Sequence, residues 1–171
     1  GILGGVVFGV DDDTMESVVL DLLRTRGMTL GVAESLTGGM IGSRICDVAG
    51  ASDVFLGSVV SYSPQVKFDL LGVAEGPVVT TAAALAMAQG ARRALGADVG
   101  IAATGVAGPG EQEGRPPGTV CMAIAIGEPG SAGEGDVVTD SVELRLPGRR
   151  QQVREFTVIS LLGLLRRHLL D

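Results

Sequence analysis

Tryptophan is absent from this sequence, tyrosine occurs once and phenylalanine four times. With aromatic residues at 3% there is little from which to build a stacking platform for nucleic-acid bases. Thirteen basic residues against twenty acidic ones leave a net charge of −7, which argues against a general binder of the phosphate backbone, so no nucleic-acid partner is expected. The single histidine, His168, stands in the last few residues, and Cys46 and Cys121 are the only cysteines. No zinc site of the usual ligand count can be assembled from these within one chain, and no metal or cofactor is expected. The cysteines lie far apart in apolar surroundings and read as reduced core thiols, which favours a cytoplasmic location. No uninterrupted apolar run approaches the ~20 residues needed to span a bilayer, and the opening residues lack the basic flank of a secretory signal, so no membrane partner is expected. Among the basic residues the scarcity of lysine is the most informative. Twelve arginines accompany one lysine, Lys67. Guanidinium keeps its proton in a protein, whereas a desolvated ammonium can release it, so a lone lysine among arginines is either an ordinary surface residue or a base.

What is present is a core. In 171 residues, 46% are hydrophobic and the mean hydropathy is +0.39, enough for one globular domain that buries roughly two-thirds of its unfolded surface. Residues 1–12 read as a lead-in or the remnant of an interdomain junction, with a possible short edge strand at Ile2-Leu3 and Val6-Val7-Phe8. The chain does not open on Met, which fits a segment of a longer protein. From 13 to 171 helices and strands alternate. Asp13 or Thr14 caps a helix to about residue 26, closed by Gly27. A buried strand follows at 29–33, then a helix at 38–47 and a strand at 54–61. Ser63-Pro64 opens a short helix to 71, and Thr80 caps an Ala-rich helix at 81–95. Strands at 98–103, 119–126 and 137–146 precede a last helix at 149–169. This pattern predicts a single-domain three-layer α/β/α sandwich on a mixed sheet.

Chemistry-bearing residues gather at three places. Glu34-Ser35-Leu36-Thr37-Gly38-Gly39 joins a strand to a helix, where α/β folds open their ligand sites. Ser35 or Thr37 there is either a nucleophile beside backbone N–H donors or a plain helix cap. Tyr62-Ser63-Pro64-Gln65-Val66-Lys67 places the only tyrosine five residues before the only lysine. Burial would lower the lysine pKa and make it a base, with Ser35 the natural partner; packed ring and solvated amine are the alternative. Thr104-Gly105-Val106-Ala107-Gly108-Pro109-Gly110 follows a buried strand, and its N–H groups form either an anion cradle or an ordinary loop. Asp11-Asp12-Asp13 reads as acidic residues at a helix start rather than a metal site. Arg149-Arg150 opens the last helix where its dipole disfavours cations, which makes Arg149 a candidate for an anionic ligand.

Taken together, Ala33-Glu34-Ser35-x-Thr37-Gly38-Gly39, Tyr62-Ser63-x-x-x-Lys67, Thr104-Gly105-x-Ala107-Gly108-Pro109 and Pro117-Gly118-Thr119-Val120 resemble the C-terminal domain of the competence/damage-inducible CinA family. The same domain also occurs alone as a nicotinamide-nucleotide amidohydrolase. The resemblance implies hydrolysis of the carboxamide of nicotinamide mononucleotide to the acid and ammonia, in pyridine-nucleotide recycling. The family's motif serine falls on Ser35, its tyrosine on Tyr62 and its lysine on Lys67. Leu36 stands where a cysteine is frequent, so no thiol is available there. The expected roles are Ser35 as nucleophile, Lys67 as base, and Tyr62 orienting the lysine or passing the proton. Thr37, Gly38 and Gly39 would hold the oxyanion, while Gly105, Ala107, Gly108 and Arg149 would hold the phosphate. A small-molecule mononucleotide is thus the expected partner, with a homo-oligomer also expected from the apolar helices. A non-catalytic ligand-binding or assembly module of a larger CinA-type protein is the alternative, and an amidase for another amide a weaker one.

Overall fold

The computed structural model describes residues 12–171; the anticipated strand near Ile2 and most of the lead-in lie outside them. Each helix begins and ends where local chemistry dictates. In α1 (Met15–Arg26) Thr14 Oγ1 accepts from Ser17 N–H at 3.1 Å, Ser17 Oγ accepts from Thr14 N–H at 3.0 Å, and Gly27 closes the helix in the left-handed conformation. In α3 (Pro64–Leu71) Ser63 caps Gln65 N–H and proline fills the first turn, where its missing N–H costs nothing. Thr80 caps α4 (Thr81–Leu95) and Gly96 ends it. The remaining helices are α2 (Met40–Cys46) and α5 (Arg150–Leu170).

The five strands are β1 (Leu30–Glu34), β2 (Phe55–Val60), β3 (Val99–Gly105), β4 (Thr119–Ile126) and β5 (Val138–Arg145), ordered β2-β1-β3-β4-β5. β1 is parallel to both β2 and β3, whereas β3–β4 and β4–β5 are antiparallel. The sheet is therefore mixed, with α1, α2 and α5 on one face and α3 and α4 on the other. This is the three-layer α/β single domain the pattern predicts.

The two faces differ in grain. The period of two in β4 sends Val120, Met122 and Ile124 toward the α1/α5 side with Leu20, Leu23, Leu161 and Leu165. Cys121, Ala123 and Ala125 point the other way, to Ala84, Met87, Ala88 and Ala91 of α4. Small residues let α4 lie close to the sheet. A β-carbon at Gly100 would stand 2.0 Å from the Ala88 carbonyl oxygen, and one at Gly90 would stand 2.2 Å from that of Leu71.

One expectation needs correcting. Both cysteines are free and Cys121 is buried, but Cys46 is exposed. The buried residues of α2 are Ile41, Gly42 and Ile45, and the residue after Ile45 is turned about 100° away from the core. Burial and, to a lesser extent, Glu143 push the Cys121 pKa up to about 11, so that thiol stays protonated and unreactive near neutrality. Among the described residues no helix is long and apolar enough to cross a membrane.

Gly100→Ala forces a methyl against main chain that cannot move aside. It should lower the unfolding free energy by about 3 kcal/mol in urea titration, at the upper end of overpacking costs.

Candidate functional site

Parallel strands β1, β2 and β3 end at the same side of the sheet. The chain leaves β1 for β2 on one flank, then crosses back to β3 on the other. That reversal opens a crevice at the carboxyl ends of β1 and β3, the usual ligand position in such sheets. A cleft of about 200 Å³ lies there, lined just after β1 by Ser35, from the β2–α3 turn by Tyr62, from α3 by Lys67, from the end of β3 by Gly105, and from the loop that follows by Ala107 and Gly108.

Glu34 fixes the loop that carries Ser35. Its carboxylate is fully buried and accepts from Ile41 N–H at 2.8 Å, Gly42 N–H at 3.1 Å and Ser58 Oγ at 2.7 Å. It thus satisfies the first N–H groups of α2 and ties β1, β2 and that helix together. Neither Ser35 nor Thr37 is the cap; Gly39 occupies that position, in the left-handed region, without a side-chain bond. Ser35 is freed for the cleft, with its N–H donated to Ala103 O at 3.1 Å.

The Thr37-Gly38-Gly39 turn does not line the cleft. Gly38 N–H is donated to Ser35 O, and the carbonyls of Leu36 and Thr37 face α5, where they accept from Arg154 Nε and Nη2, each at 2.9 Å. The signal for Glu34 and Arg154 was faint: an acidic residue ending an apolar strand, and an arginine on a distant helix with no local partner.

Lys67 stands at 1% exposure. The buried residues of α3 are Lys67 and Leu71, four apart on one face, so an amine occupies a position where helical periodicity calls for an apolar side chain. Nζ donates to Ser61 O at 2.6 Å and reaches Tyr62 O at 3.5 Å. Burial lowers its pKa below the ordinary 10.5, partly opposed by the Glu113 carboxylate. Glu113, in the left-handed region at φ 53°, accepts from Val78 and Val79 N–H and pins loop 105–118 to the segment before α4. Thr104 Oγ1 adds a bond to Val78 O at 2.9 Å.

Tyr62 behaves differently from expectation. Its ring is 60% exposed, and its hydroxyl accepts from Arg150 Nη2 at 2.9 Å. Toward Lys67 it offers its main-chain carbonyl. The arginine in the cleft is also one residue on from the expected one. Arg149 is the N-cap of α5, outside the lining, while Arg150, first in the helix, lines the cleft and donates to Gly108 O at 2.8 Å. No group of three or more metal-ligating side chains occurs among the described residues.

The fold is thus a doubly wound α/β domain with a hydroxyl, a buried amine and a glycine-rich loop at its switch point. The family model for the CinA C-terminal domain matches residues 12–169, and the chain belongs to that family. It is 48% identical over 172 residues to a CinA-like protein of Frankia casuarinae and 41% over 175 to one of Geobacter sulfurreducens. Those alignments cover 98% of this chain but 38% and 40% of the relatives, so the chain spans about two-fifths of their length. A competence-damaged protein (CinA) superfamily structure from Klebsiella pneumoniae superposes with a TM-score of 0.82 at 28% identity, covering 91% of this chain and 96% of that one. The competence/damage inducible protein CihA of Agrobacterium tumefaciens gives 0.82 at 28%, covering 96% and 99%.

Glu34→Ala leaves two buried N–H groups without an acceptor. It should cost about 3 kcal/mol in chemical denaturation and accelerate hydrogen exchange at Ile41 and Gly42. Glu34→Gln, which keeps one acceptor, should lose less.

Proposed function

We propose that this domain hydrolyses the carboxamide of nicotinamide mononucleotide to the carboxylate, releasing ammonia. One observation carries the reading: Lys67, sunk to 1% exposure among carbonyl oxygens, shares its cleft with Ser35. A buried amine with a lowered pKa is a base poised for a hydroxyl, and the site contains no histidine that could take that part. The family's motif residues fall on this same pair.

Neutral Lys67 takes the Ser35 proton while Oγ attacks the amide carbon. The walls of the cleft, Leu36 and the loop after β3, supply N–H groups to the tetrahedral oxyanion. Collapse expels ammonia with the proton returned by Lys67, leaving an acyl ester on Ser35. A water molecule deprotonated by Lys67 then hydrolyses the ester, and the proton goes back to Ser35. Tyr62 serves this step through its main-chain carbonyl, which with that of Ser61 holds the lysine. Loop 105–110 receives the phosphate-bearing end of the substrate.

Ammonia release from nicotinamide mononucleotide tests the reading. Ser35→Ala should reduce kcat at least about a thousandfold. Lys67→Arg keeps the charge but removes the base, and should cost at least about a hundredfold; near-normal turnover in either variant would remove that residue from the mechanism. A base must be unprotonated, so kcat/KM should rise with pH through the lowered Lys67 pKa. Glu113→Gln removes the charge that opposes the lowering, and should move this acid limb further toward low pH.

A further inference from the structure

A base does not account for three observations: two arginines opening a helix, a single tyrosine with an exposed ring, and a cleft too small for a mononucleotide. The first turn of α5 holds no acidic residue, although its N-terminus favours negative charge. Arg150 nevertheless turns its guanidinium back over the cleft, where Gly108 O receives Nη1 and the Tyr62 hydroxyl receives Nη2. Three segments distant in sequence meet at that one planar group: the β2–α3 turn, the loop after β3 and the start of α5. A guanidinium carries five N–H donors in a fixed fork, and two bonds leave three unused. The cleft, at about 200 Å³, falls below the ~300 Å³ at which pockets enclosing a whole ligand begin. A mononucleotide would extend beyond it, and the exposed Tyr62 and Arg150 stand where the cleft meets solvent.

We infer that Arg150 and the Tyr62 hydroxyl form the subsite that selects a phosphomonoester, and that Tyr62 acts there by aiming Arg150 rather than by moving a proton at Lys67. The inference rests on the deamidase reading for the identity of the substrate, but the subsite itself is defined by its chemistry. A tetrahedral dianion at the rim takes the free N–H groups of Arg150, and the two bonds already in place fix the plane of the fork before the ligand arrives. Tyr62 is thus a positioning residue, with Gly108 O as the second support. Lys67 Nζ reaches the Tyr62 carbonyl while the Tyr62 hydroxyl meets Arg150, so the two ends of one residue serve two subsites.

The experiment separates this from a catalytic tyrosine and from failure of the deamidase reading. With nicotinamide mononucleotide as substrate, Tyr62→Phe should raise KM about tenfold and change kcat less than about threefold. A proton-transfer role would lower kcat a hundredfold or more and overturns the inference. Nicotinamide riboside, which lacks the phosphate, should lose much less kcat/KM on the same substitution; an equal loss overturns it. Arg150→Gln should raise the mononucleotide KM about a hundredfold, and adding Tyr62→Phe should cost little more. Additive losses would mean that Tyr62 acts independently of Arg150, against the inference. Ribose 5-phosphate, which has no amide, gives a calorimetric arm that needs no turnover. Its affinity should fall about tenfold in Tyr62→Phe and further in Arg150→Gln, and equal affinity in the parent and both variants refutes the subsite. A parent enzyme that releases no ammonia but binds ribose 5-phosphate through these residues would refute the deamidase reading and leave the subsite standing.

Discussion

The Glu34 carboxylate is the tie on which the site depends. It closes β1, and without side-chain help from the cap position α2 would begin with buried N–H groups lacking an acceptor. One carboxylate meets two of those donors and the Ser58 hydroxyl of the neighbouring strand, so that strand, helix and strand hold a common geometry. The alternation of a strand makes the arrangement productive. Glu34 continues the side of β1 that carries Leu30 and Val32, toward α2, and the next residue, Ser35, enters the cleft facing α3. Capping chemistry that a serine or threonine would ordinarily supply has been moved one residue back. The hydroxyl is left without a structural duty there, which is what the proposed nucleophile requires.

The opposite wall follows a matching logic. Lys67 occupies a core position on α3, and the hydrophobic effect favours an apolar residue there. Its charge meets carbonyl oxygens of the β2–α3 turn and a more distant carboxylate rather than a close ion pair. That arrangement satisfies hydrogen bonds without fixing the proton, as a base needs. Glu113 moderates the effect while stitching loop 105–118 to the segment that precedes α4. The loop that shapes the cleft and the charge that opposes the lowering of the Lys67 pKa are therefore joined in one residue.

Much of this was legible in the sequence because it is local. Thr14, Ser63 and Thr80 mark three helix starts, and Gly27 and Gly96 mark two ends, by chemistry that acts over three or four residues. Ser35 and Lys67 stood out from their neighbours, the lysine by composition alone. What escaped depends on direction and distance. Arg149 and Arg150 look alike in sequence, yet the phase of the first turn of α5 decides which faces the cleft. Arg154 binds the carbonyls of Leu36 and Thr37 from more than a hundred residues away, so nothing local in the sequence marks the pairing. The Tyr62 hydroxyl found its partner across the fold for the same reason. Cys46 follows the phase of a short helix, which composition does not reveal.

The thin alanine and glycine layer under α4 has a consequence beyond packing. Gly90 lets the end of α3 rest on α4, and Gly100 lets α4 rest on the sheet, so each contact is backbone against backbone, with no flexible side chain between to absorb error. The depth at which Lys67 sits relative to β1 is consequently set by atoms that evolution cannot resize, only separate. A substitution along that seam, well away from the cleft, would shift α3, and Lys67 with it, relative to the sheet. Drift in this family should therefore be freer on the leucine-filled α1/α5 face, where one side chain can compensate for another.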